Sequence, residues 1–242
     1  MMMYAKDHDD LLARAGGKDT KWGVSLKNWA AASRQAAFDL DPNGTGGTAT
    51  VSSSLFLLAR FMYLDVTART FLCKADKGVK EFTPAAYGLR GRELTELWDF
   101  GPDPAKHCSY AYQMVYSQYT LVMRFESLTG AFAMAADRNP WTNKRTAKSF
   151  SRFEPDLRPF SGSPDHARLG NAVAHDREGQ NVLFLDTHVS YEKRAYCGQE
   201  DDNIYTSWDG ADKARGKPPK LGSQPAGEKD SLLVNDPPVP RR

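Results

Sequence analysis

The chain has 242 residues, of which 40% are hydrophobic and 26% are charged, so it can form one large domain or two small ones. Its 32 Lys and Arg residues nearly balance its 30 Asp and Glu residues, which argues against a dedicated nucleic-acid-binding protein. No apolar run approaches the roughly 18 residues of a membrane-spanning helix, and the first residues do not have the pattern of a signal peptide.

Helices are predicted mainly in the N-terminal part of the chain. Residues 1–14 have the composition of the last turns of a helix, and residues 25–38 predict a short helix. The clearest helical pattern follows Ser54, the expected cap, because apolar side chains recur at helical spacing as far as residue 63. A further helix is predicted at 88–100.

The loop between the predicted helices contains Asp39, Asp41 and Asn43, followed by Gly44. This order satisfies the first part of a calcium-binding loop, with oxygen ligands at positions 1, 3 and 5 and glycine at position 6. The twelfth position requires a bidentate Glu and is Thr50 here. Calcium binding is therefore one interpretation of this loop, and an ordinary Gly/Asn turn is the default.

Strand patterns dominate the second half of the chain. Residues 109–114 alternate aromatic with small or polar side chains, and residues 130–136 form an apolar run. The run at 182–185 predicts a buried strand, and the alternation over 189–193 predicts a return strand after a turn at 186–187. The fold class is therefore α+β, with N-terminal helices and an antiparallel sheet.

Two segments lack a regular pattern. Residues 142–169 are polar and contain several prolines, so we expect a long surface loop. Residues 211–242 are rich in proline, glycine and charge, which predicts an irregular C-terminal tail. The predicted organisation is one globular domain at 1–210 followed by this tail.

Several stretches in order carry a resemblance to a known family. The chain resembles bacterial prepilin-type proteins described as carrying a prepilin-type processing-associated H-X9-DG domain, which are abundant in planctomycetes and look like type II secretion pseudopilins. The matching stretches are 54–58, 71–73, 108–113, 136–140, 178–189 and 202–206. The residues that match the naming motif and its surroundings are His175, Gly179, Gln180, Asn181, Asp186 and His188.

The resemblance implies a pilin-like head that acts without catalysis, through contacts with other pilin-like subunits or with secretion-system proteins. It implies a location on the periplasmic or cell-surface side of the inner membrane and no nucleic-acid partner. Membrane contact would be made only through an N-terminal helix, which this chain lacks; a chain that truly starts at Met1 would instead be a cytoplasmic paralogue.

The motif departs from the family pattern at two points. Ten residues rather than nine separate His175 from Asp186, and Thr187 replaces the expected glycine. A β-branched residue disfavours positive φ, so we expect Thr187 to avoid that conformation.

The cysteines leave two interpretations open. Cys73, Cys108 and Cys197 do not have the close pairing of a zinc motif. In an exported protein they could form one disulfide, with Cys73 and Cys108 as the candidate pair, and one free thiol. Otherwise all three would be inert buried thiols.

Asp186 and His188 form an Asp-x-His pattern that, with His175, could bind a metal ion and support a soluble metal-dependent hydrolase. The structural alternative is that Asp186 accepts backbone hydrogen bonds in the turn while the histidines pair with it or with carbonyls. We favour the structural role and expect no catalytic residue and no cofactor other than calcium. Asp137 is expected to belong to an internal ion-pair and turn element.

Two further hypotheses concern ligands. Pseudopilins of the major class can hold calcium in a C-terminal loop, which makes Asp201, Asp202 and Asn203 a second calcium candidate by resemblance. Trp141 and Trp208 could instead serve a carbohydrate- or partner-binding module.

Overall fold

A computed structural model describes residues 1–63, 67–119, 130–142, 168–208 and 216–239. Within these residues the fold is α+β with long loops, as the sequence predicted, and combines short helices with a five-stranded antiparallel sheet and a small parallel sheet. The helices are α1 (Met2–Asp7), α2 (Arg34–Phe38) and α3 (Val51–Arg60). The strands are β1 (Lys21–Trp22), β2 (Thr48–Ala49), β3 (Tyr110–Gln113), β4 (Ala133–Asp137), β5 (Gln180–Phe184), β6 (Val189–Glu192) and β7 (Leu233–Val234).

Helix α3 is the central helix and is buried along almost its whole length. It begins after Thr50, whose side-chain oxygen accepts a hydrogen bond from the backbone N–H of Ser53 at 3.1 Å. The predicted cap, Ser54, lies inside the helix, where its hydroxyl is within 2.9 Å of the hydroxyl of Tyr116. None of the helices in the described part of the chain has the length and apolarity required to cross a membrane.

Two predicted helices are shorter than expected. Helix α2 covers only the end of the predicted 25–38 segment, because Ser33 caps it by accepting a hydrogen bond from Ala36. At 88–100 only the single turn Leu94–Glu96 is helical. Gly88 and Gly91 have φ of +79° and +80°, a left-handed conformation that interrupts a right-handed helix.

The five-stranded sheet has the strand order β6-β5-β4-β3-β7, and every neighbouring pair is antiparallel. Alanines on β4 face partners on both sides, since Ala136 lies opposite Ala111 of β3 and Val182 of β5. The predicted hairpin at 182–193 is confirmed as β5 and β6. One face of the sheet packs on α3 and its surrounding loops, where the larger hydrophobic core lies.

The prediction of an irregular tail from residue 211 was wrong for its last part. Strand β7 pairs with β3 at the edge of the sheet, and Leu232, Leu233 and Val234 are fully buried. Proline, glycine and charged residues together make up most of the tail, so its composition does not reveal this short apolar run. The predicted surface loop at 142–169 lies almost entirely outside the described residues.

Candidate functional site

Three side chains from distant parts of the sequence meet beside the end of β4. Cys73 follows the short 3-10 turn Ala68–Phe71, Asp137 is the last residue of β4, and His175 lies in the loop before β5. One ligand atom of each residue lies within 4.8 Å of the other two, and no other group of this kind occurs among the described residues. His175 Nε2 lies 3.4 Å from Cys73 Sγ and 3.4 Å from Asp137 Oδ2.

Asp137 is completely buried, and its two carboxylate oxygens have different surroundings. Oδ2 accepts hydrogen bonds from the backbone and side-chain nitrogens of Asn181 at 2.7 and 3.2 Å. Oδ1 has no hydrogen-bond partner. Burying a carboxylate oxygen without a donor or cation is costly, so this atom marks an incomplete environment.

The backbone next to the cluster has an unusual conformation. His175, Asp176 and Arg177 have φ of +56°, +53° and +63°, which side-chain-bearing residues adopt only at a cost in free energy. Hydrogen bonds hold the segment in this conformation: Arg177 Nη1 donates to the carbonyl of Leu169 at 2.9 Å, and Asn171 Nδ2 donates to the carbonyl of Arg177 at 3.1 Å. This left-handed turn directs the ring of His175 towards Asp137.

Electrostatics favour a protonated thiol in this cluster. Burial raises the pKa of Cys73, the negative charge of Asp137 raises it further, and a hydrogen bond from the backbone of Ala75 opposes this rise. Cys73 and Asp137 both approach the same ring nitrogen of His175. A nucleophilic triad uses the two ring nitrogens for separate partners, so this geometry does not provide one.

The residues predicted to form a hydrolase metal site are not brought together. Asp186 and His188 are exposed in the turn between β5 and β6, where His188 Nδ1 lies 2.5 Å from Asp186 Oδ1. This hydrogen bond lowers the pKa of Asp186. His175 contacts Asn181 at the other end of β5, and the five residue steps from Asn181 to Asp186 correspond to roughly 16 Å of extended chain. The alternative ligand set of His175, Asp186 and His188 is therefore not formed, whereas the contact between Asp186 and His188 agrees with the structural role that the sequence favoured.

The remaining motif residues shape the hairpin. The backbone of Glu192 passes so close to Gly179 that a Cβ there would lie 2.5 Å from its carbonyl oxygen. Gln180 is buried, and its side chain donates to the same carbonyl at 2.9 Å. Thr187 has φ of +73°, contrary to the expectation for a β-branched residue, because it lies in the turn between the hydrogen-bonded residues Phe184 and His188, at a position that glycine would adopt without steric cost.

The first calcium candidate is a self-contained turn. Asp41 Oδ1 accepts the backbone N–H groups of Asn43 and Thr45, both at 2.9 Å, and Oδ2 accepts the hydroxyl of Thr45 at 2.6 Å. Asp39 is the left-handed residue that ends α2. The carboxylate oxygens of Asp41 therefore act within the loop, as the default turn interpretation predicts.

The second calcium candidate is also used internally. Asp202 is buried, and its Oδ2 accepts the backbone N–H of Ser231 at 2.8 Å. Asn203 Oδ1 accepts the backbone N–H of Tyr205 at 3.0 Å, while Asp201 is exposed. The hydrogen bond of Asp202 connects the 199–206 segment to the chain before β7, and that of Asn203 is local to the segment.

All three cysteines are free thiols, so the proposed disulfide between Cys73 and Cys108 is not formed. Cys108 is buried and its Sγ contacts the carbonyl oxygen of Tyr110 at 3.6 Å. Burial raises the pKa of Cys108 to about 12, so this thiol stays protonated and unreactive at neutral pH.

A separate exposed feature lies where α1 packs on the end of α3. Tyr4 and Tyr63 are in edge-to-face contact at 5.4 Å, and the Tyr63 hydroxyl donates to Asp7 at 2.9 Å. The residues that directly precede Tyr4 and Tyr63 in the chain are four exposed apolar side chains, and we call them the N-terminal apolar patch. Its members are Met2, Met3, Phe61 and Met62, with exposures of 48%, 62%, 47% and 75%.

The two tryptophans of the binding-module hypothesis are only half-exposed. Trp141 packs against the smaller hydrophobic core. Trp208 lines an open cavity of about 260 Å³ with Glu200 and Asp230.

The fold and these features define an α+β protein with a strained Cys–His–Asp cluster and an exposed apolar patch. Comparison of the chain with protein-family models, curated proteins and solved structures found no match. Cys73, Asp137 and His175 lie in or directly before stretches that carry the pseudopilin resemblance. This was the signal in the sequence that could have pointed to the cluster, because the spacing of the three residues does not.

Proposed function

We propose that this chain is the head of a non-enzymatic, pseudopilin-like structural protein that binds another pilin-like subunit through its N-terminal apolar patch. The observation that carries the proposal is the exposure of Met2, Met3, Phe61 and Met62 on adjoining elements. Clustered large apolar side chains on a protein surface are typical of protein–protein contact sites. Isolated exposed apolar residues would not carry this inference.

The conformation of Met62 supports the same interpretation. It follows α3 in the left-handed conformation, with φ of +55°, and is the most exposed large hydrophobic side chain in the described part of the chain. Glycine is the residue that usually occupies this position after a helix. A large apolar residue therefore costs stability there, and contact with a partner would offset that cost.

The location of the patch agrees with the resemblance. In the proteins that the sequence resembles, an N-terminal helix precedes the head and packs against neighbouring subunits. Helix α1 contributes Met2 and Met3 to the patch, so a partner bound there would contact the head beside the position where such a helix enters. The free energy of this contact would come mainly from apolar burial.

Photo-cross-linking in the source cells tests the partner. A photoreactive phenylalanine analogue at position 62 should form an adduct with a protein that mass spectrometry identifies as having a prepilin leader and helix. The double variant Met2→Gln, Met3→Gln should reduce the adduct at least fivefold. The analogue at Val189, which is 65% exposed on β6, is the matched control and should form no such adduct.

No adduct at position 62, or adducts only with proteins that lack a prepilin leader, would contradict the proposal. The codons upstream of Met1 give an independent test. An in-frame basic leader followed by a hydrophobic helix is the expected finding, whereas a stop codon directly before Met1 would count against a pilin-like role.

A further inference from the structure

The spacing within the Cys73, Asp137 and His175 cluster matches that of ligands around a metal ion. Tetrahedral zinc has bonds of about 2.3 Å to sulfur and about 2.1 Å to nitrogen and oxygen, which separates neighbouring ligand atoms by roughly 3.4–3.6 Å. Both separations from His175 Nε2, to Cys73 Sγ and to Asp137 Oδ2, are 3.4 Å. Two of the three ligand-atom separations thus already agree with those around a bound ion, and all three ligand atoms lie within 4.8 Å of one another.

The unpartnered oxygen of Asp137 is a second, independent observation. Asp137 is completely buried, and its Oδ1 has no hydrogen-bond partner. The neighbouring Arg138 does not neutralise this carboxylate, since it pairs with Asp76 at 3.8 Å. A buried carboxylate without full compensation is stabilised by a cation, and a divalent ion next to His175 would supply the charge.

We infer that Cys73, Asp137 and His175 bind a divalent transition-metal ion, with zinc as the best match. Thiolate, imidazole and carboxylate together suit zinc, whereas calcium and magnesium prefer oxygen ligands alone. On binding, the Cys73 thiol loses its proton to solvent and the sulfur forms the bond to the metal. This site is a different set from the exposed Asp186 and His188 pair.

The surroundings support such a site. Asn181 holds the carboxylate of Asp137 with two hydrogen bonds, as residues around a metal centre commonly orient its ligands. The side chain of His175 is 29% exposed, which gives an ion a route from solvent. Three protein ligands leave a fourth tetrahedral position for water or for a donor atom of a partner.

Metal titration of the purified chain tests the inference. After treatment with a chelator, calorimetry should show that the protein binds one equivalent of zinc. Addition of zinc should also raise the melting temperature of the protein. Cobalt in place of zinc should give the thiolate-to-metal absorption band that requires a cysteine ligand. Cys73→Ser and His175→Gln should each weaken zinc binding at least 100-fold and abolish the zinc-dependent rise in melting temperature.

Matched controls separate this site from adventitious binding. Cys197→Ser removes a thiol outside the cluster, and His188→Gln removes the exposed histidine; both should retain zinc binding within twofold. If Cys73→Ser does not fold, Cys73→Ala replaces it. Absence of zinc binding, or binding that is lost in His188→Gln and kept in His175→Gln, would overturn the inference in favour of a metal-free hydrogen-bonded cluster. Neither result depends on the cross-linking outcome.

Discussion

The carboxylate of Asp236 accepts a hydrogen bond from the backbone N–H of Ser52 at 2.8 Å, although 184 positions separate the two residues. Its other oxygen accepts the backbone N–H of Val51 at 2.9 Å and the indole N–H of Trp22 at 2.8 Å. A residue near the C-terminus thus accepts hydrogen bonds from the free backbone N–H groups in the first turn of α3, where the helix dipole favours negative charge. This connection anchors the segment after β7 to the start of α3.

Replacing Asp236 with alanine should lower the free energy of unfolding by about 3 kcal/mol or more, because three buried donors lose their acceptor. Urea denaturation followed by tryptophan fluorescence measures the change. Glu81→Ala removes an exposed carboxylate and should change stability by less than about 0.5 kcal/mol. A loss below about 1 kcal/mol in Asp236→Ala would show that Asp236 does not hold α3 to the C-terminal segment.

Stability should depend on pH through Asp99. Burial raises its pKa from 3.8 to about 8, and the nearby charge of Asp236 acts in the same direction. Between these two pH values the folded chain binds the proton and the unfolded chain does not, so the free energy of unfolding falls as pH rises. Asp99→Asn removes this dependence.

From pH 5 to pH 8 the natural chain should therefore lose unfolding free energy relative to the Asp99→Asn variant. A shift of at least about 1.4 kcal/mol corresponds to one pKa unit. Urea denaturation at both pH values gives the comparison, with Glu81→Gln as the control. Parallel pH profiles for Asp99→Asn and the natural chain would contradict the raised pKa.

Thr187→Gly should stabilise the protein, because Thr187 has φ of +73° and glycine adopts that conformation without steric cost. The expected gain is about 1 kcal/mol, which raises the melting temperature of a chain of this size by roughly 2–4 °C. Ser190→Gly, inside β6, should instead lower the melting temperature, since glycine weakens a strand interior. A lower melting temperature in Thr187→Gly would refute the strained turn.

Asn139 connects three segments and should be difficult to replace. It is completely buried; its Nδ2 donates to the carbonyls of Tyr205 and Leu233 at 2.9 and 2.7 Å, and its Oδ1 accepts the backbone N–H of Trp141 at 2.8 Å. Asn139→Ala should lower the unfolding free energy by about 3 kcal/mol, because buried backbone groups lose their partners.

Asn28→Ala is the control for this change, since Asn28 is exposed and its side chain makes a single hydrogen bond to the backbone of Ala36. It should cost less than about 1 kcal/mol in the same denaturation experiment. If both variants lose the same unfolding free energy, the buried hydrogen bonds of Asn139 stabilise the protein no more than the one exposed hydrogen bond of Asn28.

Local patterns predicted those parts of the fold whose structure depends on near neighbours. The alternation at 109–114 and 189–193 and the apolar run at 182–185 identified three strands, because side chains alternate between the faces of a sheet. The prediction of a helix at 88–100 was wrong. The apolar residues have helical spacing, but Gly88 and Gly91 adopt the left-handed conformation. The sequence left open whether Cys73 and Cys108 form a disulfide, because residue counts do not give the distance between two thiols, and the structure shows both as free thiols.

The sequence by itself determined the α+β class, the β5–β6 hairpin and the turn role of Asp41, since each depends on residues a few positions apart. Only the tertiary structure decided that Cys73, Asp137 and His175 meet. It also decided that Asp236 accepts hydrogen bonds from the first turn of α3. Such contacts join residues far apart in the chain, and sheet order and packing, rather than local spacing, bring them together. For the same reason, the tail composition could not reveal that Leu233 lies in the core.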